Sequence, residues 1–139
     1  ARAKRKGFKY TVRLNGTSDL PFERYKLANG LNLMKNNPNV QFIDYTKITN
    51  RLFQKLPKNY SLTYSQAENN LKDVKQVLKT KYNIATVFRK KLPKKWLGRR
   101  VINGDLSDLR HLEDGKKIIV GLIAKGRAIK NFNGFVQDV

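Results

Sequence analysis

Cysteine is absent from these 139 residues, which removes disulfides, thiolate nucleophiles and thiolate metal ligands together and suits a reducing compartment. His111 is the only histidine. A paired-histidine metal site and a two-histidine mechanism are therefore excluded, and between Arg110 and Leu112 this residue reads as a surface or capping group. No apolar run approaches the roughly 20 residues of a membrane-spanning helix. No basic segment is cleanly amphipathic either, so no membrane partner is expected. The basic run over residues 1–6 passes into a strand rather than an apolar segment, and no signal peptide is expected there. Ser18, Ser65 and Ser107 lack the Gly-x-Ser-x-Gly elbow of a serine hydrolase. The glycines form no phosphate-binding fingerprint: Gly16 and Gly104 are isolated turn signals after asparagine, and Gly121 with Gly126 lacks a third member.

Acidic residues are also scarce, and their scarcity defines the chain. Thirty Lys and Arg against ten Asp and Glu give a formal charge of +20, far outside the usual range for a protein of this length. Such an excess implies a polyanionic partner. Nucleic acid fits best, because each neutralised phosphate releases counterions and supplies affinity without any reading of sequence. With 40% hydrophobic residues the chain can bury one sizeable core, so a single domain over residues 1–139 is expected.

The chain is organised around residues 10–19, where an alternating apolar strand runs into Asn15-Gly-Thr-Ser-Asp19. Residues 100–108 repeat the pattern, with β-branched residues leading to Asn103-Gly-Asp-Leu-Ser-Asp108. Both read as a strand end opening into a loop and helix start, the edge at which α/β folds bind ligands. Further strands are predicted over residues 40–45, 60–64, 83–88 and 117–123. Helices are predicted over residues 22–34, 47–56 and, behind a Ser65-Gln-Ala-Glu68 capping box, 65–82. Residues 92–97 suggest one helical turn around Trp96, and Asp105 or Ser107 caps a short turn ending near Gly115. Strands alternating with helical patterns predict an α/β fold, a mostly parallel sheet of about six strands in a partial barrel or an open sheet. An unclosed sheet has edges, so another protein chain or self-association should cover one of them.

Six ordered motifs carry a resemblance: Val12-Arg-Leu-Asn-Gly-Thr-Ser-Asp19, Val40-Gln-Phe-Ile-Asp-Tyr-Thr-Lys47, Asn59-Tyr-Ser-Leu-Thr-Tyr-Ser65, Ile84-Ala-Thr-Val-Phe88, Val101-Ile-Asn-Gly-Asp-Leu-Ser-Asp-Leu-Arg110 and Ile119-Val-Gly-Leu-Ile-Ala-Lys-Gly126. Together they resemble a family of uncharacterised phage and plasmid proteins. Longer members of that family look like partial β/α barrels related to radical-SAM enzymes, with a cysteine-bearing N-terminal half. The resemblance implies that residues 1–6 end a helix, that the chain is the C-terminal portion of such a barrel, and that it works in the cytoplasm of a bacterial host or in a phage particle. Having no cysteine, this chain cannot ligate an iron–sulfur cluster through its own thiolates.

Two functional readings follow. In the first, the protein binds DNA or RNA through phosphate contacts, as a component of a larger complex or particle and with no cofactor. Arg89, Lys90, Lys91, Lys94, Lys95, Arg99 and Arg100 lie around Trp96, combining cations with an aromatic that could stack on an unpaired base. Lys125 and Arg127 follow the last strand. In the second, Asp19, Asp44, Asp105 and Asp108, all at strand ends or the turns after them, hold Mg²⁺ for a hydrolase or transferase acting on nucleic acid or nucleotides. Lys47, beside Asp44 and Tyr45, would then serve acid–base work. Aspartate is more often a cap and turn former, and binding is the favoured reading.

Overall fold

Residues 60–65 place apolar and polar side chains on alternate positions, which gives that strand two unlike faces. The computed structural model describes residues 2–139; it has a short helix α1 (Arg2–Arg5), followed by Gly7 at φ +69°, in the segment read as a helix end, while Ala1 of that expectation lies outside the described residues. The chain continues through β1 (Thr11–Arg13), α2 (Leu33–Asn36), β2 (Gln41–Thr46), α3 (Thr49–Leu52), β3 (Tyr60–Ser65) and α4 (Leu71–Val77). It ends with β4 (Ile84–Phe88), β5 (Lys95–Trp96), β6 (Arg99–Asn103), β7 (Ile119–Ile123) and β8 (Val136–Gln137).

The strands form one sheet in the order β1-β2-β3-β4-β7-β6-β5, with β8 paired to β4. Every pair is parallel except β5 with β6. The sheet is open, and its 8 strands exceed the six expected. Both additions are two-residue strands. β3 pairs with β4 only at Tyr64–Ile84 and Ser65–Ala85, and β8 then takes the same flank through Val87–Val136 and Phe88–Gln137.

The helical turn predicted around Trp96 is a hairpin instead. Leu97 and Gly98 both have positive φ, at 49° and 79°, the condition for the two-residue type I′ turn that matches strand twist. Leucine is strained there, whereas asparagine tolerates the left-handed region. Leu97→Asn should raise stability by about 0.5–1 kcal/mol, checked as a higher midpoint of chemical denaturation with an unchanged m-value.

The predicted helices shrink for local reasons. Over residues 22–34 only α2 forms, because the chain turns at Pro21 to Arg24 and Gly30 sits at φ +76°. The helix expected over residues 47–56 is reduced to α3, and that expected over 65–82 to α4. The Ser65–Glu68 capping box does not form, since Ser65 still belongs to β3. The buried Asn70 side chain instead accepts from Ala67 N–H at 2.7 Å and donates to the Ser65 carbonyl at 2.8 Å, holding the loop before the helix.

One sheet face carries Phe42, Tyr60, Leu62, Tyr64, Ile84, Phe88 and Ile119, which pack with Met34, Leu52, Val74 and Val77 as the core. The opposite face is covered in part by two 3₁₀ helices, Gly104–Leu106 and Arg110–Glu113. Gly104 must be glycine there: a Cβ would stand 2.4 Å from Val120 Cγ1. The part of this face left uncovered, toward the strand ends, positions the site. Among the described residues no helix is long and apolar enough to cross a membrane.

Candidate nucleic-acid interface

Because β1, β2, β3, β4, β7 and β6 run parallel, their exits share one rim, and both Asn-Gly loops lie on it. The first loop is tied down by side chains. Buried Asn15 donates its backbone N–H to Asp44 Oδ1 at 2.7 Å and its Nδ2 to Asp44 Oδ2 at 2.9 Å. Its Oδ1 accepts from Ser18 Oγ and Leu20 N–H at 2.8 and 2.9 Å. Asp19 then crosses to β2, accepting from Thr46 Oγ1 at 3.0 Å and Lys47 N–H at 2.7 Å.

Beneath this loop lies an ionic network that the sequence reading missed. Arg51 is fully buried, with Nη1 at 2.5 Å from Asp19 Oδ1 and Nε and Nη2 at 3.0 and 2.8 Å from the two Glu23 oxygens. Nη2 also donates to Tyr60 Oη at 2.7 Å, and the Tyr60 hydroxyl donates to Asp44 Oδ2 at 2.6 Å. Burial and the adjacent Asp44 carboxylate raise the pKa of the Tyr60 phenol, keeping it a donor.

The four aspartates proposed for Mg²⁺ are thus held apart in separate roles. Asp19 and Asp44 belong to the network just described. Asp105 accepts from Ile123 N–H at 2.9 Å and pairs with Lys125 Nζ at 2.6 Å, and the Lys125 hydrogen bond lowers its pKa. Asp108 is exposed. Among the described residues no group of three or more His, Cys, Asp or Glu side chains is placed to hold a metal ion. The Lys47 ammonium faces the ring of Phe135 at 5.7 Å, not a carboxylate.

The basic segment divides by neighbour. Arg89 pins the C-terminal segment: it pairs with Asp138 at 2.5 Å, donates to the Ile129 and Asn131 carbonyls and lies 4.0 Å from the Phe132 ring centroid. Arg99 is buried against α4, donating to the carbonyls of Tyr82, Leu78 and Thr80 at 2.5, 2.7 and 2.8 Å and of Val77 at 3.4 Å. Trp96 meets Phe88 edge to face with centroids 5.4 Å apart, and its Nε1 donates to Gln66 Oε1 at 3.1 Å. These three are joined to the fold. Lys90, Lys91, Lys94, Lys95, Arg100, Lys125 and Arg127 are exposed. Exposed lysines also stand at the opposite rim, where Lys55, Lys58 and Lys81 line a hollow of about 490 Å³.

On the uncovered face at the rim, two adjoining clefts share Arg13, Tyr45, Lys47 and Ser65. One, of about 240 Å³, includes Thr17 and Ser18; the other, of about 290 Å³, includes Gln66, Asp108 and Phe135. Arg13 lies over the Tyr45 ring at 4.9 Å and ties its Nε to the Asn15 carbonyl at 3.0 Å. Burial raises the Tyr45 pKa against the opposing charges of Arg110 and Arg13. Of the residues lining the two clefts only Asp19, Lys47 and Asp108 stood out in the sequence as site candidates. The available signal was positional: Arg13, Tyr45 and Ser65 close three consecutive strands on one face, as their pairing register requires.

The open parallel sheet and its cation-lined cleft at the strand exits define an α/β protein with its candidate ligand site on the carboxyl rim. The chain belongs to the Gene product 88 family, a phage-type family whose model matches residues 1–138. No curated protein and no solved structure matches it.

Proposed function

We propose that this phage-type protein binds nucleic acid through phosphate contacts, as a component of a larger complex or particle in a bacterial host or virion. The observation that carries the reading is the set of exposed cations Lys90, Lys91, Lys94, Lys95, Arg100, Lys125 and Arg127 on a chain of charge +20. Compact ammonium groups on flexible stems suit a regular backbone of phosphates and need no fixed base register. Cations at the rim of strand exits and at the opposite rim, by the entries of β3 and β4, favour a surface that holds nucleic acid in more than one register. The edge beside β1 is the place for a protein partner, because Phe8 and Tyr10 are 65% and 46% exposed just ahead of it. The opposite edge is protected by the shortness of β5 and by its lysines. The kinship with radical-SAM partial barrels belongs to this reading as architecture: parallel strands with their exits on one rim, in a chain that contributes no thiolate.

Neutralising four to six phosphates predicts a log–log dependence of duplex affinity on salt with a slope of about −4 to −5. Fluorescence anisotropy of a labelled duplex across a salt series measures it. A flat salt dependence, or no binding at low salt to DNA or RNA, overturns the proposal.

A further inference from the structure

Phosphate contacts alone leave part of the rim cleft unexplained. A duplex keeps its bases stacked inside, so aromatic rings placed to stack on a base face find no use on it. The larger cleft has such groups. Tyr45 and Phe135 stand in its lining, each with a cation over its ring, Arg13 at 4.9 Å and Lys47 at 5.7 Å.

Gln66 is 95% shielded, its exposure being 5%, and both of its hydrogen bonds are made by Oε1, to Thr86 Oγ1 at 2.9 Å and Trp96 Nε1 at 3.1 Å. Thr86 and Trp96 lie on the core face with Phe88, so the Gln66 amide is held on that face and supplies no group to the cleft. Asp108, in the same lining, has no side-chain partner among the described residues and supplies an acceptor. The smaller cleft continues past Arg13 and Lys47 to the hydroxyls of Thr17 and Ser18 and to Asp19, whose carboxylate is already engaged by Arg51, Thr46 Oγ1 and the Lys47 N–H. The two cations and two hydroxyls suit a phosphate. At about 290 and 240 Å³ the two lobes together fall within the ~300–1,000 Å³ of small-ligand pockets.

We infer that this cleft holds one unpaired nucleotide of a single strand, its base between Tyr45 and Phe135 and its phosphate between Arg13, Lys47 and the Thr17–Ser18 loop. The inference rests on the nucleic-acid reading above and refines it from phosphate contact to a preference for unpaired strands. Every base carries a donor on its exposed edge, and the Asp108 carboxylate in the lining can accept from it. Stacking makes the selection for a single strand, and the contact is tolerant of sequence. Tyr45 and Phe135 act as the stacking surfaces; Arg13 and Lys47 serve both the rings and the phosphate.

The test compares labelled oligothymidylate with a duplex of equal length, using the full chain, Tyr45→Leu and Phe135→Leu, with circular dichroism to show that each variant is folded. The unaltered chain should bind the single strand more tightly. Each variant should lose about tenfold in single-strand affinity, the worth of one base stack, with duplex affinity and its salt slope unchanged. Equal binding of single strand and duplex by the unaltered chain, or a preference that survives in both variants, overturns the cleft while leaving phosphate binding intact. Failure to bind either polymer overturns both. Thymidine monophosphate is included as a competitor. Weak, millimolar displacement supports a strand site, and micromolar displacement shows a free-nucleotide site and overturns the strand.

Discussion

Replacing Arg51 with alanine should lower stability by about 3–5 kcal/mol, roughly 10–15 °C in Tm for a domain of this size. Arg51 itself is fully buried, and the Glu23 and Asp19 side chains it pairs with are 4% and 27% exposed. Burial alone would lower the pKa of Arg51, but the hydrogen bonds it donates to Glu23 and Asp19 and the charge of Glu23 outweigh it and raise the pKa instead. Removing the guanidinium strands the Glu23 carboxylate in the interior, and most of the expected loss comes from that unpaired charge rather than from the contact energy. Arg51→Ala combined with Glu23→Gln should therefore lose clearly less than the sum of the single changes. Arg51→Lys should fall between, since one ammonium cannot serve Asp19, both Glu23 oxygens and Tyr60 together. Urea denaturation of the unaltered protein, Arg51→Ala, Glu23→Gln, the double variant and Arg51→Lys decides it. A loss under about 1 kcal/mol for Arg51→Ala would show that the network relaxes or hydrates without cost.

The same network explains what the sequence could and could not tell. The parallel α/β arrangement was legible because residues 60–65 alternate with the strand period while 84–88 and 119–123 are short, nearly continuous apolar runs of the kind a parallel sheet buries on both faces. The rim was legible because an Asn-Gly step after a strand forces a turn whatever lies around it. Helix lengths were not legible. Residues 22–31 have an apolar stripe, yet Glu23 is drawn inward by Arg51, and Asn32 Nδ2 donates to the Glu23 carbonyl at 3.0 Å, holding the segment as turns. That pull acts across 28 positions of chain and has no local trace. The cleft was hidden for a related reason. Arg13, Tyr45, Gln66 and Phe135 sit in four different segments, and only the order of strands brings them together.

Nowhere is the limit of composition clearer than at the neighbouring pair Arg99 and Arg100, which counting treats as equal cations. Within a strand adjacent side chains point to opposite faces, and here one is buried and the other exposed. Arg99 closes the C-terminal end of α4 and the turn after it, meeting four carbonyls at 2.5–3.4 Å. A cation among the last carbonyls of a helix both satisfies their lone pairs and meets the negative end of the dipole. Burial lowers the pKa of Arg99, and among the described residues no carboxylate pairs with it; its charge is met there by those carbonyls. Arg99→Ala should cost about 2–3 kcal/mol, from several charge-assisted hydrogen bonds lost and carbonyls left dry, and should leave the salt slope of duplex binding unchanged. Arg100→Ala should do the reverse, with stability within about 0.5 kcal/mol and the slope smaller by about 0.9 if its phosphate contact is lost. Thermal denaturation and the salt series, run on both variants, separate the two effects. If Arg99→Ala shallows the slope and Arg100→Ala does not, the phosphate contact lies on the buried face and the assignment of the exposed cations to nucleic acid is wrong.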